Sequence, residues 1–337
     1  MKTLRTYILV LVCIAGITLS PSMAFAALDL ITFRTNPKTP GPSQLVTISI
    51  QSYAVDLESA NLTWYVDKEV VANGIGEKNI QTMTKNLGET VTINVVILAA
   101  NGARYDKQFL LRPIEIDLLW EADTFVPHFY KGKALPTYKS IVKLSAVPRF
   151  NAFSSDPSKY SYTWTTNQIQ GLGQGLGKQS VLVPMKYSGS SVPVEVTVID
   201  SASDDQSTTT ASTLSDGGSA SERIVAVNPL ILFYEDAPLL GIRSNRALSS
   251  AATTNGINFT LRAVPYFFSN DDIANTSLIY TWQQDRQKLA PGIDPNVLVL
   301  GKEGTAAQSS TIGLMIQNSK RILQSANAGV TVNFTAE

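Results

Sequence analysis

Leu62-Thr63-Trp64-Tyr65-Val66-Asp67, Tyr162-Thr163-Trp164-Thr165-Thr166-Asn167 and Tyr280-Thr281-Trp282-Gln283-Gln284-Asp285 are three versions of one stretch. Each has a threonine before its tryptophan and an Asp or Asn three residues after it. In an extended chain, side chains two apart share a face, so Leu62, Tyr162 and Tyr280 each stand beside their tryptophan. The closing acid or amide suits a chain entering a turn. The stretch reads as the central strand of a small β-sandwich, with Trp64, Trp164 and Trp282 as structural core. The rival reading, a ring held out for stacking on sugars, fits a mid-strand alternating position poorly.

Alternating apolar runs flank each tryptophan on both sides. Val46, Ile48 and Ile50 precede the first, Val142, Leu144 and Ala146 the second, and Ile257, Phe259, Leu261 and Ala263 the third. Val91 to Ile97, Val192 to Val198 and Ile312 to Ile316 follow in the same order. Such period-two alternation marks half-buried strands. Opening strands are expected at Leu28 and Leu30, at Ile114, Ile116 and Leu118, and at Leu230 and Leu232, with Phe233 and Tyr234 facing the other way. Turns are expected at 37–42, Asn73-Gly74-Ile75-Gly76, Asn101-Gly102 and Pro291-Gly292, with a flexible connection at 171–177. Residues 201–222 are almost all Ser, Thr, Ala, Asp and Gly, which cannot build a core. They read as a long mobile loop before a closing strand at 224–227. Pro113 and Pro229 each stand between a closing strand and the next opening one. The expected division is 27–112, 113–228 and 229–337, three sandwiches in a row.

Lys2 and Arg5 begin the chain, an apolar run follows to Leu19, and Ala24-Phe25-Ala26 supplies small residues for cleavage. Residues 1–26 therefore read as a secretory signal peptide. The run is short of the roughly 20 residues of a bilayer span, and the rest of the chain holds no second one. Cys13 is the only cysteine and lies inside this leader, preceded by Val12 rather than a small residue, which argues against lipidation. An exported chain without disulfides is held by its cores alone, which suits a prokaryotic envelope. The 27 Lys and Arg balance the 27 Asp and Glu, so no basic excess speaks for nucleic acid or anionic lipid. The expected location is extracellular, the cell surface or the periplasm.

The recurrent short strands, with one tryptophan in each repeat, resemble bacterial immunoglobulin-like surface repeats of the polycystic-kidney-disease (PKD) and related families. The resemblance covers essentially the whole mature chain and implies an all-β protein of three tandem Ig-like β-sandwiches. It is architectural: Tyr65-Val66-Asp67 follows Trp64, where the PKD pattern carries a WDFGDG-like stretch, and Gly88 leads to Glu89-Thr90 where that pattern has a glycine-x-tyrosine. The family is typically found in adhesins, envelope scaffolds and spacers on secreted enzymes, and the resemblance implies a function of that kind.

Little in the chain reads as chemistry. His128 is the only histidine, so neither a structural zinc site nor a Ser-His-Asp triad is legible, and it reads as a loop residue beside aromatics. No catalytic, cofactor-binding or metal residue is therefore assigned. Asp204-Asp205 and Asp271-Asp272 read as solvated turn acids rather than calcium ligands. The aromatics Trp120, Phe129, Tyr130, Phe233 and Tyr234 follow the junction prolines. They read as packing between sandwiches or, more sharply, as a contact patch for a partner. The expected partner is an unidentified envelope protein or glycan. The chain is expected to be a non-catalytic scaffold or adhesion protein, or else an accessory module for a separate envelope or carbohydrate-active enzyme.

Overall fold

The computed structural model describes residues 31–151, 156–169, 171–200, 217–290 and 292–336. The expected leader, the strand start at Leu28 and Leu30, and Asp204-Asp205 lie outside them. Nearly all regular structure is β, in six sheets enclosing three separate large cores.

The first core lies between a sheet ordered β1-β2-β5 and a sheet ordered β4-β3-β6-β7. These are β1 (Ile31–Asn36), β2 (Leu45–Ser52), β3 (Asn61–Val66), β4 (Glu69–Ile75), β5 (Asn79–Met83), β6 (Val91–Leu98) and β7 (Arg104–Leu111). Val91, Ile93, Val95 and Ile97 are all buried, as their alternation requires, and Phe33 meets Trp64 edge-on at 6.3 Å. Of the expected Asn73-Gly74-Ile75-Gly76 turn, the first three residues lie inside β4, while Gly76, at φ 73°, turns the chain between β4 and β5, so this is not the turn that closes the Trp64 strand. That turn is Asp67-Lys68, both at positive φ (47° and 75°), the pair of angles a tight two-residue hairpin needs.

The second core repeats this plan. Its sheets are β12-β9-β8 and β11-β10-β13-β14. The strands are β8 (Glu115–Ala122), β9 (Ile141–Arg149), β10 (Tyr160–Thr166), β11 (Gly173–Leu176), β12 (Ser180–Pro184), β13 (Ser191–Asp200) and β14 (Gly217–Val225). Two expectations change here. The glycine-rich run supplies β11 rather than a loose connection, and Gly173 lets the backbone pass where a Cβ would come 2.7 Å from Val181. The closing strand begins at Gly217, inside the stretch read as mobile loop. It needs no apolar pattern because its register with β13 is carried by backbone hydrogen bonds. The remainder of that loop, 201–216, lies outside the described residues.

The third core lies between β16-β15-β18-β21 and β17-β23-β22-β19-β20. These are β15 (Leu230–Ala237), β16 (Gly241–Ile242), β17 (Ala251–Thr254), β18 (Asn258–Tyr266), β19 (Leu278–Gln284), β20 (Gln287–Lys288), β21 (Val297–Gly301), β22 (Gln308–Asn318) and β23 (Ser325–Phe334). A one-turn helix, α1 (Asn270–Ala274), precedes β19. The hairpin directly after Trp282 turns at Asp285-Arg286 (φ 50° and 70°); Pro291 of the expected Pro291-Gly292 turn lies outside the described residues. Ile257, expected inside a strand, is exposed just before β18. On β15 the core-facing residues are Ile231 and Phe233, the opposite parity to the expected Leu230 and Leu232.

Candidate functional site

The three tryptophans do the same job in each sandwich. All are buried, and each indole Nε1–H donates to a backbone carbonyl 13 or 14 residues further on: Trp64 to Glu77 at 2.7 Å, Trp164 to Lys178 at 2.8 Å and Trp282 to Pro295 at 2.8 Å. A buried indole needs such an acceptor, and here it ties the central strand to the segment entering the opposite sheet. The acid three residues on is a second tie. The Thr92 amide donates to Asp67 Oδ1 at 2.9 Å and the Thr311 amide to Asp285 Oδ1 at 2.8 Å. The Asp67 and Asp285 amides donate back to the Thr92 and Thr311 carbonyls. Burial raises the Asp67 carboxyl, but Lys85 and the Thr92 amide outweigh it and hold the group below its ordinary value.

The five aromatics do not form one exposed patch. Phe233 is buried in the third core, its ring centroid 5.8 Å from that of Trp282. Tyr234 is buried as well, because the 123–140 connection of the second sandwich covers the outer face of β15. Phe129 packs edge-on against Tyr234 at 5.3 Å, and Tyr130 against Tyr266 at 5.4 Å. The Tyr234 and Tyr266 hydroxyls share a hydrogen bond of 2.7 Å. Burial pushes the Tyr266 phenol well above its ordinary value, with Tyr234 adding to the shift. Trp120 is half-buried, and Lys133 Nζ lies 3.9 Å over its ring. His128 is exposed beside Phe129.

These rings belong to a junction that also has a backbone and a polar part. Phe125 and Phe267 donate to the Phe268 and Phe125 carbonyls, both at 2.7 Å, and the Thr124–Ser269 bridge extends the pairing. Alongside runs a buried polar chain. Gln324 Nε2 donates to Thr137 Oγ1 (3.1 Å) and to the Tyr138 carbonyl (2.7 Å). Asn318 Nδ2 donates to Gln324 Oε1 (3.0 Å) and to Asp272 Oδ2 (2.8 Å). Arg321 Nε lies 2.7 Å from Asp272 Oδ2, and Arg321 also donates to the Lys139 carbonyl. Asp272 is thus a buried, paired carboxylate, correcting its reading as a solvated turn acid. None of this was legible from spacing, since Gln324 and Thr137 lie 187 residues apart.

The first junction is built differently. The Ile114 amide donates to the Pro40 carbonyl at 3.0 Å, and the Ser219 amide to Thr39 Oγ1 at 2.8 Å. Gly218 presses so closely on Thr39 and Ile114 that a Cβ would come 2.8 Å from Thr39 Cγ2. An open cleft of about 720 Å³ remains beside it, flanked by Arg34, Lys38 and Ile199. Among the described residues no three His, Cys, Asp or Glu side chains converge.

In each sandwich one sheet holds the first, second and fifth principal strands, and the other holds the third, fourth, sixth and seventh, an immunoglobulin-like arrangement of the fibronectin type III kind. The chain is thus a tandem of such sandwiches. No family model matches it and no curated protein does. Among solved structures it is similar to three N-terminal domains of the bacteriophage RB49 highly immunogenic outer capsid protein (12% identity, 91% of this chain and 98% of that one, TM-score 0.25). It is also similar to the central fibronectin-III array of RIM-binding protein (10%, 88% and 93%, TM-score 0.31). A third is a Bacteroides ovatus protein of a mixed-linkage glucan utilization locus, in complex with a heptasaccharide (11%, 90% and 70%, TM-score 0.23). At these scores the likenesses carry no argument; the chain's own sheets define the fold.

Proposed function

We propose that this chain is an exported, non-catalytic scaffold of the cell envelope that works by holding protein or glycan contacts at fixed positions along a tandem of sandwiches. In this reading residues 1–26 are a leader removed on export, and the folded units are 27–112, 113–228 and 229–337. One observation carries it: a buried polar chain within the third sandwich, from Asp272 through Asn318 to Gln324 with Arg321 beside it, ends in hydrogen bonds from Gln324 to Thr137 and Tyr138 and from Arg321 to the Lys139 carbonyl, which fix the second sandwich against the third. A fixed angle between units serves a spacer, whereas a catalyst needs acid and base groups converging on an accessible cleft. The absence of disulfide chemistry from residues 27–337 and the exposed hydroxyl-rich strands fit an envelope location.

Whole-cell cross-linking followed by fractionation tests the reading. The expected result is a chain lacking residues 1–26, recovered from the envelope or medium and joined to an envelope protein or glycan. Recovery from the cytoplasm with the leader intact overturns it.

A further inference from the structure

Both junctions within the chain use the same two ends. The connection between the first two principal strands of one sandwich receives the loop end of the next. Residues 37–44, between β1 and β2, receive the start of β14 and Ile114. Residues 123–140, between β8 and β9, receive the loop before α1 and the 319–324 loop between β22 and β23. Among the described residues, two such ends are left without a partner in the chain. One is the loop end of the first sandwich, at 53–60 and 99–103. The other is the β15–β18 connection of the third, at 238–257.

Both free ends present apolar side chains to solvent. Tyr53 stands three residues after the core residue Ile50, as Tyr266 stands three after Ala263. Tyr266 is buried in the second junction, whereas Tyr53 is 86% exposed. Beside Tyr53 lies a groove of about 400 Å³ bounded by Val55, Leu57 and Glu58. At the opposite end of the molecule Leu239 is 97% and Leu240 74% exposed, in the turn between β15 and β16, and Ile257 is exposed nearby. Tyr53 at one end and Leu239 and Leu240 at the other are the apolar side chains these ends offer to a partner.

We propose that the chain assembles head to tail, the free loop end of the first sandwich taking the exposed β15–β18 connection of a second copy. The contact repeats between chains the arrangement each chain already uses twice within itself. It joins unlike ends, so it does not close on itself and adds copies without a fixed limit. It extends the scaffold reading by naming a partner, but rests on the junction geometry; its failure leaves the cross-linking result standing.

Sedimentation velocity from micromolar to near-millimolar chain tests it, with Tyr53→Asp and Leu239→Asp/Leu240→Asp as variants. Each substitution falls on an exposed side chain, so a thermal melt unchanged from wild type accompanies it. Wild type is expected to sediment faster as concentration rises, with no plateau at a dimer. Each variant alone stays monomeric, and an equimolar mixture of the two forms a dimer and nothing larger, because each supplies the end the other lacks. A wild-type chain that stays monomeric, its groove covered by its own leading residues or reserved for another protein, overturns the proposal. So does assembly that stops at a dimer, a variant that still self-associates, or a mixture that remains monomeric.

Discussion

Replacing Trp164 by alanine removes a ring that is 1% exposed and bonded to the Lys178 carbonyl. A buried tryptophan withdraws about 150–250 Å² from water. At about 25 cal/mol per Å² that is roughly 4–6 kcal/mol of transfer free energy. Partial collapse of the site offsets some of the loss, so the expected cost is about 3–5 kcal/mol. The orphaned Lys178 carbonyl keeps the figure toward the upper end, as an unmet buried acceptor costs about 1–3 kcal/mol. A domain's whole margin is about 5–15 kcal/mol, so the second sandwich is left close to unfolding. Trp164→Phe separates the two contributions: it retains most of the apolar area and loses the hydrogen bond, so its cost falls well below that of alanine. Differential scanning calorimetry reads both variants. The transition of the second core should shift strongly downward, that of the third should follow in part through their shared junction, and that of the first should stay put. A Trp164→Ala melt superimposable on wild type refutes the reasoning, and so does an equal shift of all three cores.

Three further outcomes follow from the geometry. Asp285→Ala strands the Thr311 amide and places alanine at φ 50°, so it should cost about 1–2 kcal/mol, whereas Asp285→Asn keeps both the acceptor and the tolerance of that angle; equal urea midpoints for the two variants would contradict this. Arg321→Ala leaves the buried Asp272 carboxylate without its close partner and should cost about 3–5 kcal/mol, with faster amide exchange at Thr137 and Gln324, while Asp272→Leu/Arg321→Met together recover much of the loss. Burial raises the Asp123 carboxyl above its ordinary 3.8, against the opposing Ile141 amide and Arg321. An acid raised in this way costs the folded state stability above its ordinary value, fully so once pH exceeds the raised one. Asp123→Asn should therefore melt higher than wild type at neutral pH, and the gap should close as the solution is acidified below about pH 3.

The alternation of Val91 to Ile97 and of Val192 to Val198 carried the strands into the right sheets, because a face buried on one side leaves a period-two record. The tandem plan was legible for the same reason. Turn identity was less so: Asn73-Gly74 has turn composition, yet Asp67-Lys68 makes the hairpin, because the ladder between β3 and β4 fixes where the chain must reverse. The start of β14 at Gly217 left no apolar trace, since an edge strand requires only its backbone. Phe233 and Tyr234 misled most. Alternation distinguishes two faces only when one is wet, and β15 is covered on one side by its own core and on the other by its neighbour. The buried chain from Thr137 to Arg321 joins residues remote in sequence, and no local pattern announces such pairings.

The unequal junctions give the molecule a mechanical grain. Among the described residues the second and third sandwiches share paired backbone, interlocked rings and side-chain hydrogen bonds from Gln324 and Arg321, while the first meets the second through hydrogen bonds and close packing at Thr39, Ile114 and Gly218 beside an open cleft. Pulled from its two ends in a single-molecule force measurement, the chain is expected to part first between its first and second units, with the remaining pair separating only at higher force.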